Sequence, residues 1–416
     1  MTFSALSLHP DLLAALPDQY QQPTPVQQQA LPAIMTGEDV LALAHTGSGK
    51  TLAFGLGLLQ QLVQQPGQPQ HEEPIQALII VPTRELAAQI GEVLTPLAGA
   101  LSLTLATVCG GVSLDQQVAA LNQQSPRLLI ATPGRLLDLL QQQLVSLSAV
   151  RHLVLDEVDR LLEMGFWPDI QRILHTLPEP RQTLLFSATL PAELEQQTQQ
   201  LVPNAVRIDL GRQNSVVADI EQRCYLVNKG SKAQALIALL THSFRQQQVL
   251  VFINARDSAD AVAKKLNKAG IEALALHGEK EHAERERALQ AFKGGRVRVL
   301  VATDLLARGI DITALPVVIN LDLPPSAPVY VHRVGRTARA GLGGLAISLT
   351  CHGEAGALTA IRHLTGAELP LQALEGFPVT DQPASGERKR PPRDKQANRR
   401  SASKRSSKSF QRSSKP

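Results

Sequence analysis

Two short segments of this chain have the residue types and order needed for phosphate chemistry. The first is Ala44-His45-Thr46-Gly47-Ser48-Gly49-Lys50-Thr51, between a short apolar run and a helical pattern. Gly47 and Gly49 let backbone amides turn inward around phosphate oxygens, and the start of a helix adds its own N–H groups and dipole. Lys50 supplies a point charge for β and γ phosphates, and Thr51 a hydroxyl for Mg²⁺. The general pattern has Gly where Ala44 stands, so a fortuitous glycine-rich turn is the competing reading of this segment alone. The second segment, Asp156-Glu157-Val158-Asp159, directly follows the apolar run HLVL. A carboxylate at a strand end can hold Mg²⁺ directly or through water, and the next one can polarise a water for attack on a γ-phosphate. By itself such a cluster is more often a helix N-cap. Downstream of a phosphate loop the balance reverses, and together the segments describe a nucleoside-triphosphate hydrolase.

These residues need rigid elements behind them, and the apolar pattern supplies two sets. Apolar runs of the first half, expected as buried strands, fall at 39–44, 77–81, 104–109, 127–131, 152–156 and 182–187, with amphipathic stretches such as Leu86–Leu97 and Leu114–Leu121 between them. The pattern restarts with runs at 222–227, 248–253, 272–276, 296–302, 316–321 and 345–349, and with helical stretches at Lys232–Leu240 and Ser258–Ala269. Continuous Val/Ile/Leu runs separated by helices imply α/β architecture, parallel sheets covered by helices on both faces. The expected domains are 1–206 and 219–370, joined by a linker at 207–218, with a tail at 371–416. The Gln/Pro-rich stretch 64–74 reads as a surface loop.

Composition narrows the class further. Of 416 residues, 44% are hydrophobic and 19% charged, within the range of soluble globular proteins. No apolar run is long enough to cross a bilayer, and the N-terminus lacks the pattern of a signal peptide. Cys109, Cys224 and Cys351 are too far apart for a zinc knuckle or disulfide framework and read as buried thiols in a reduced cytoplasm. The formal charge of +4 hides an asymmetry: residues 387–416 hold 12 basic and 2 acidic side chains, whereas the rest holds 29 basic and 35 acidic. That tail has almost no apolar content to offset the entropy of ordering, and is expected to be disordered. It reads as a salt-sensitive tether for a polyanion, or as a merely solubilising segment.

With these residues in view, the stretch from about Phe3 to Leu349 resembles the DEAD-box RNA helicases of superfamily 2. Ala44–Thr51 is similar to the family's AxTGxGKT motif, and Asp156–Asp159 stands where DEAD would be. Pro82-Thr83-Arg84-Glu85-Leu86, Gly110-Gly111 and Thr132-Pro133-Gly134-Arg135 resemble its first-lobe RNA motifs, and Ser187-Ala188-Thr189 its SAT motif. In the second half, Ala302-Thr303-Asp304 with Arg308-Gly309-Ile310-Asp311 resembles ATDxxxRGxD, and Tyr330–Arg339 resembles YxHRxGRTxR. Pro23-Thr24-Pro25-Val26-Gln27 resembles the Q motif.

The resemblance implies two tandem RecA-like domains, with ATP and Mg²⁺ as cofactors and RNA as a largely sequence-independent partner. It gives Lys50, Asp156 and Glu157 catalytic roles, with Thr51 and Asp156 on the metal. Arg336 and Arg339 become arginine fingers, with Asp304 and Gly309 near the nucleotide. Gln27 would read adenine and Phe3 would stack on it; from the residues alone they are a member of a Gln-rich stretch and a minor core contact. Ser187, Thr189, Asp159 and His332 would couple the halves, although Ser187 and Thr189 could equally cap the helix beginning at Pro191. Arg84, Gly110, Gly111, Thr132, Gly134 and Arg135 would bind RNA, joined by Arg256, Arg285 and Thr303. Four positions depart from the family pattern: Gln19, His45, Val158 and His282. Two rivals stay open, a DNA helicase of the same superfamily and an RNA clamp that barely hydrolyses ATP. The compact core with a short basic tail resembles the bacterial RhlE-like group.

Overall fold

The computed structural model describes residues 2–44, 47–64, 75–210, 220–304, 315–337 and 344–381. Two seven-stranded sheets dominate it, and every strand pairing in both is parallel. The first holds β1 (Val40–Leu43), β2 (Ala77–Ile80), β3 (Leu105–Val108), β4 (Leu128–Ala131), β5 (His152–Asp156), β6 (Gln182–Ser187) and β7 (Val206–Asp209), in the spatial order β3-β4-β2-β5-β6-β1-β7. The second holds β8 (Ile220–Leu226), β9 (Val249–Phe252), β10 (Ala273–Leu276), β11 (Val299–Ala302), β12 (Val317–Asn320), β13 (Gly344–Thr350) and β14 (Leu371–Ala373), in the order β10-β11-β9-β12-β13-β8-β14. Shifted by seven, the two orders are the same.

The central strands β2, β4, β5 and β6 are buried throughout, as two-sided coverage requires. Helices Lys50–Gln64 and Arg84–Ala100 pack Phe54, Leu58, Ile90 and Leu94 into one core layer of the first lobe. Helices Pro133–Gln141 and Trp167–Leu174 fill the opposite layer with Leu136, Leu139, Ile170 and Ile173. The second lobe repeats this arrangement with smaller core layers.

Two expected boundaries move. Residues 207–209 belong to β7, which pairs with β1 from Val40↔Val206 to Leu43↔Asp209. An edge strand buries only every second side chain, here Ile208, and so lacks the continuous run of a central strand. The C-terminal lobe likewise continues past 370: β14 pairs with β8, Leu374 and Phe377 pack on the core, and Thr380 exchanges hydrogen bonds with Asn228. All three residues of β14 are exposed, so no apolar run marks it. The rest of the expected linker and the basic tail lie outside the described residues. Among the described residues, no helix is long and apolar enough to cross a membrane.

Candidate nucleotide site and the contacts between lobes

Because all strands run in parallel, each sheet collects its loops at one carboxyl edge, where open α/β sheets bind ligands. In the first lobe β5, β6 and β1 are adjacent, so the ends of these strands bring Asp156, Ser187 and the phosphate loop side by side. The ends of β3, β4 and β2 are adjacent too, and carry Gly110-Gly111, Thr132–Arg135 and Thr83-Arg84. Strand order alone therefore divides the edge into two stations.

At the first station the loop needs its glycines: Gly47 has φ +85° and Gly49 φ +93°, which side chains with a Cβ resist. Lys50 opens the helix, is buried, and donates from Nζ to the Ala44 carbonyl at 2.9 Å. Thr51 follows it. His45 and Thr46 lie outside the described residues. A Cβ on Gly49 would sit 2.5 Å from Nε2 of Gln27, which itself donates to the Gly49 carbonyl at 3.0 Å. Oε1 of Gln27 accepts from Thr24 N–H. A carboxamide has two donors and two acceptor lone pairs, so Gln27 keeps one of each for another partner. Phe3 lies in a 3₁₀ turn at Phe3–Leu6 and is buried at the first lobe's core.

The acidic cluster is fully buried and differentiated by its neighbours. Burial pushes the Asp156 carboxyl up to about 6 against the pull of Lys50, and its Oδ1 accepts from Glu157 N–H at 2.8 Å. A buried carboxylate without full compensation suits a cation, and Thr51 offers the matching hydroxyl. Among the described residues no cluster of His, Cys, Asp or Glu could hold a metal alone, so a cation would complete its shell from nucleotide and water. For Glu157 burial is again the largest influence and acts upward, but Arg160, at 3.2 Å, and Lys50 outweigh it and hold the carboxyl below its usual range. Glu157 sits at φ +51° ahead of the helix Val158–Glu163 and makes no cap hydrogen bond. Val158 points its extra methyls into the core layer with Leu155 and Leu161.

Asp159 is the meeting point. Its Oδ2 accepts from Thr189 N–H at 2.9 Å and Thr189 Oγ1 at 2.8 Å, and its N–H donates to Ser187 Oγ at 3.2 Å. Ser187 Oγ donates to the Thr189 carbonyl. Both hydroxyls are engaged within this cluster, and the helix Ala192–Leu201 has no side-chain cap, so the capping alternative does not hold. From the second lobe, His332 Nε2 reaches Asp159 Oδ2 at 3.4 Å.

His332 lies on the helix Ala327–Val334. Its neighbour Arg333, which sequence reasoning passed over, anchors that helix. It is fully buried and uses all five of its N–H donors, on both Asp304 oxygens (2.6 and 2.7 Å), Asn254 Oδ1, Asn320 Oδ1 and the Asp322 carbonyl. Its guanidinium also stacks 5.1 Å from the Phe252 ring centre. Asp304, expected near the nucleotide, thus gives both oxygens to Arg333. Arg336 is buried in the turn after the helix, which stops at Val334 with Gly335 as its C-cap. Arg339 and Gly309 lie outside the described residues.

At the second station a cavity of about 700 Å³ is lined by Thr83, Arg84, Gly110, Thr132, Gly134 and Arg135 of the first lobe and by Arg285 of the second. Arg84 donates to the Gly110 carbonyl at 3.3 Å and Arg135 to the Val112 carbonyl at 2.9 Å. Arg285 pairs across the lobes with Glu85 at 2.8 Å, both side chains largely buried. Arg256 forms an exposed pair with Glu279, and Thr303 is buried at the end of β11. The lobes therefore touch at both stations, through His332–Asp159 and Arg285–Glu85. Gln19 is exposed, away from these contacts.

Comparison with known proteins gives these stations relatives. The family description "DEAD/DEAH box helicase" matches residues 24–197, and "Helicase conserved C-terminal domain" matches residues 231–341. The ATP-dependent RNA helicase DbpA of Escherichia coli is 45% identical over 339 residues, which is 81% of this chain and 72% of that protein. The ATP-dependent RNA helicase DBP3 of Meyerozyma guilliermondii is 38% identical over 89% of this chain and 67% of its own length. A solved structure of S. cerevisiae Dbp5 bound to RNA and ADP BeF3 superposes with TM-score 0.79 at 30% identity, over 90% of this chain and 95% of that one.

Proposed function

From the chain's membership of the DEAD-box family of ATP-dependent RNA helicases, we infer that it hydrolyses ATP at the first station while gripping RNA at the second, and opens short RNA duplexes locally. Phosphoryl transfer needs charge neutralisation around the γ-phosphate more than covalent chemistry. Lys50 and the amides around Gly47 and Gly49 hold the phosphates, Gln27 reads adenine with its spare donor and acceptor, and Glu157 orients the attacking water. Mg²⁺, held by Thr51 and Asp156, supplies positive charge to the phosphates. Arg336 completes the site from the second lobe, and the family pattern adds Arg339 and Gly309 to the same task. RNA lies along Arg84, Gly110, Gly111, Thr132, Gly134 and Arg135, with Arg256, Arg285 and Thr303 closing over it. Contacts of this kind go to phosphates and riboses, so sequence selectivity is weak. In this reading the basic tail tethers RNA through its excess of 12 basic over 2 acidic residues, and the compact core with a short basic tail favours the bacterial RhlE-like group. Three buried free thiols support a cytoplasmic setting.

The observation that carries this reading is the His332–Asp159 contact: a second-lobe residue is bonded to the acidic cluster that also contains Asp156 and Glu157. Hydrolysis is thereby tied to how the lobes meet, and so to RNA spanning both of them. Phosphate release with and without single-stranded RNA tests it. RNA should raise turnover well above the level reached with duplex DNA, and Glu157→Gln should abolish the rise; equal, negligible rates in both proteins would favour a non-hydrolysing clamp.

A further inference from the structure

One polar side chain in the first lobe is buried beside the second station with no role in the chemistry above. Gln117, on the helix Leu114–Gln124, is 7% exposed and lies eight residues past Cys109. Its Nε2 donates to the Cys109 carbonyl at 2.9 Å and its Oε1 accepts from the Cys109 N–H at 3.2 Å. One carboxamide thus pairs with both backbone groups of a single residue, as a neighbouring strand would.

Cys109 is the last residue before Gly110-Gly111, where β3 ends and the loop emerges. Beyond it the loop's carbonyls are taken as well: Gly110 O by Arg84 and Val112 O by Arg135. Gly111 stands at φ +77°, and a Cβ there would lie 2.7 Å from Arg84 Nη1. The turn is therefore held from three sides, by two guanidiniums and one amide. The carbonyl oxygens of Cys109, Gly110 and Val112, which would repel a phosphate, each accept a hydrogen bond.

We propose that Gln117 is a positioning residue for RNA: it fixes the base of the Gly110-Gly111 turn so that the turn meets the RNA backbone preformed. The amide touches no RNA itself. It removes the ordering cost that a free loop would meet on binding, so its loss weakens RNA affinity while leaving the distant nucleotide station to the phosphate loop. This inference rests on the RNA-binding reading of the second station.

The test uses the full chain, a fluorescently labelled poly(U) strand, and ADP with beryllium fluoride to hold the nucleotide site filled. Gln117→Met keeps the length and helix preference of the side chain and removes both hydrogen bonds. It should weaken poly(U) binding about ten-fold, the scale of a lost buried hydrogen bond, with a much smaller change in the ATP concentration for half-maximal turnover. Gly111→Ala reaches the same turn from its other side and should weaken poly(U) binding as well. The double variant should lose less than the two single losses combined, since both displace one turn. Unchanged poly(U) affinity in either single variant overturns the proposal, as does a parallel loss of poly(U) affinity, ATP affinity and melting temperature in Gln117→Met. A wild-type chain that failed to bind poly(U) would instead bring down the RNA reading, and this inference with it.

Discussion

The two lobes thread seven strands in the same spatial order, and in each the first α-helix after the first strand opens with a buried lysine, Lys50 after β1 and Lys232 after β8. Their surroundings differ. Among the described residues, Lys50 Nζ donates to the Ala44 carbonyl alone, on a loop that glycines bend into positive φ. Lys232 is enclosed: its Nζ donates to the Leu321 carbonyl at 2.8 Å and lies 2.7 Å from Glu354 and 3.4 Å from Asp322. Glu354 also accepts from Leu323 N–H and Cys351 N–H. The preceding loop has Gly230 in an ordinary conformation. The same scaffold position thus carries either a charge for a ligand to neutralise or a charge the fold neutralises itself. Carboxylates just beyond β12 and β13 decide which.

Breaking the first lysine should give the largest effect. Lys50→Ala should reduce RNA-stimulated phosphate release at least about a hundred-fold with the melting temperature little changed; a normal rate would remove the phosphate-loop assignment. Lys232→Met should do the reverse. It strands Glu354 and Asp322, largely buried, without their cation, which costs about 3–5 kcal/mol, read as a lowered melting temperature with ATP half-saturation nearly intact. If ATP affinity fell instead, the second loop would have to touch nucleotide.

The smallest effect sharpens the comparison at the junction between the lobes. Burial would raise the Asp159 carboxyl, yet the hydrogen bond and charge of His332, with Lys50 and Thr189, hold it far below its usual range. A carboxyl depressed in the folded protein contributes stability that is complete above its unfolded value of about 4, and loses it as pH falls through the folded value. Asp159→Asn should therefore lower the melting temperature at neutral pH, and the gap to wild type should narrow as the pH drops below about 4. A constant gap would mean that shape, rather than charge, joins the lobes there.

Much of this was legible in the amino-acid order because it is local. Runs such as ALII and HLVLD name central strands, and a phosphate loop must be contiguous, so Gly47, Gly49 and Lys50 announce themselves. What stayed hidden was assembled from distance. Arg333 lies in the same motif as Arg336, and nothing in spacing says that one guanidinium is sealed among Asp304, Asn254 and Asn320. Gln117 looks like any glutamine in a Gln-rich chain until Cys109 is seen beneath it. The edge strands β7 and β14 were missed because the first buries only Ile208 and the second no side chain, so neither leaves a continuous apolar run.

The first lobe also suspends its two stations from a single edge of one sheet, the phosphate loop and acidic cluster on one flank and the cavity lined by Arg84 and Arg135 on the other. A close-packed slab of that kind transmits rotation with little internal give. If, as proposed, a triphosphate binds one flank and RNA the other, turning the lobe by a few degrees to fit the first would swing the second by the same angle, with no relay of intermediate residues required.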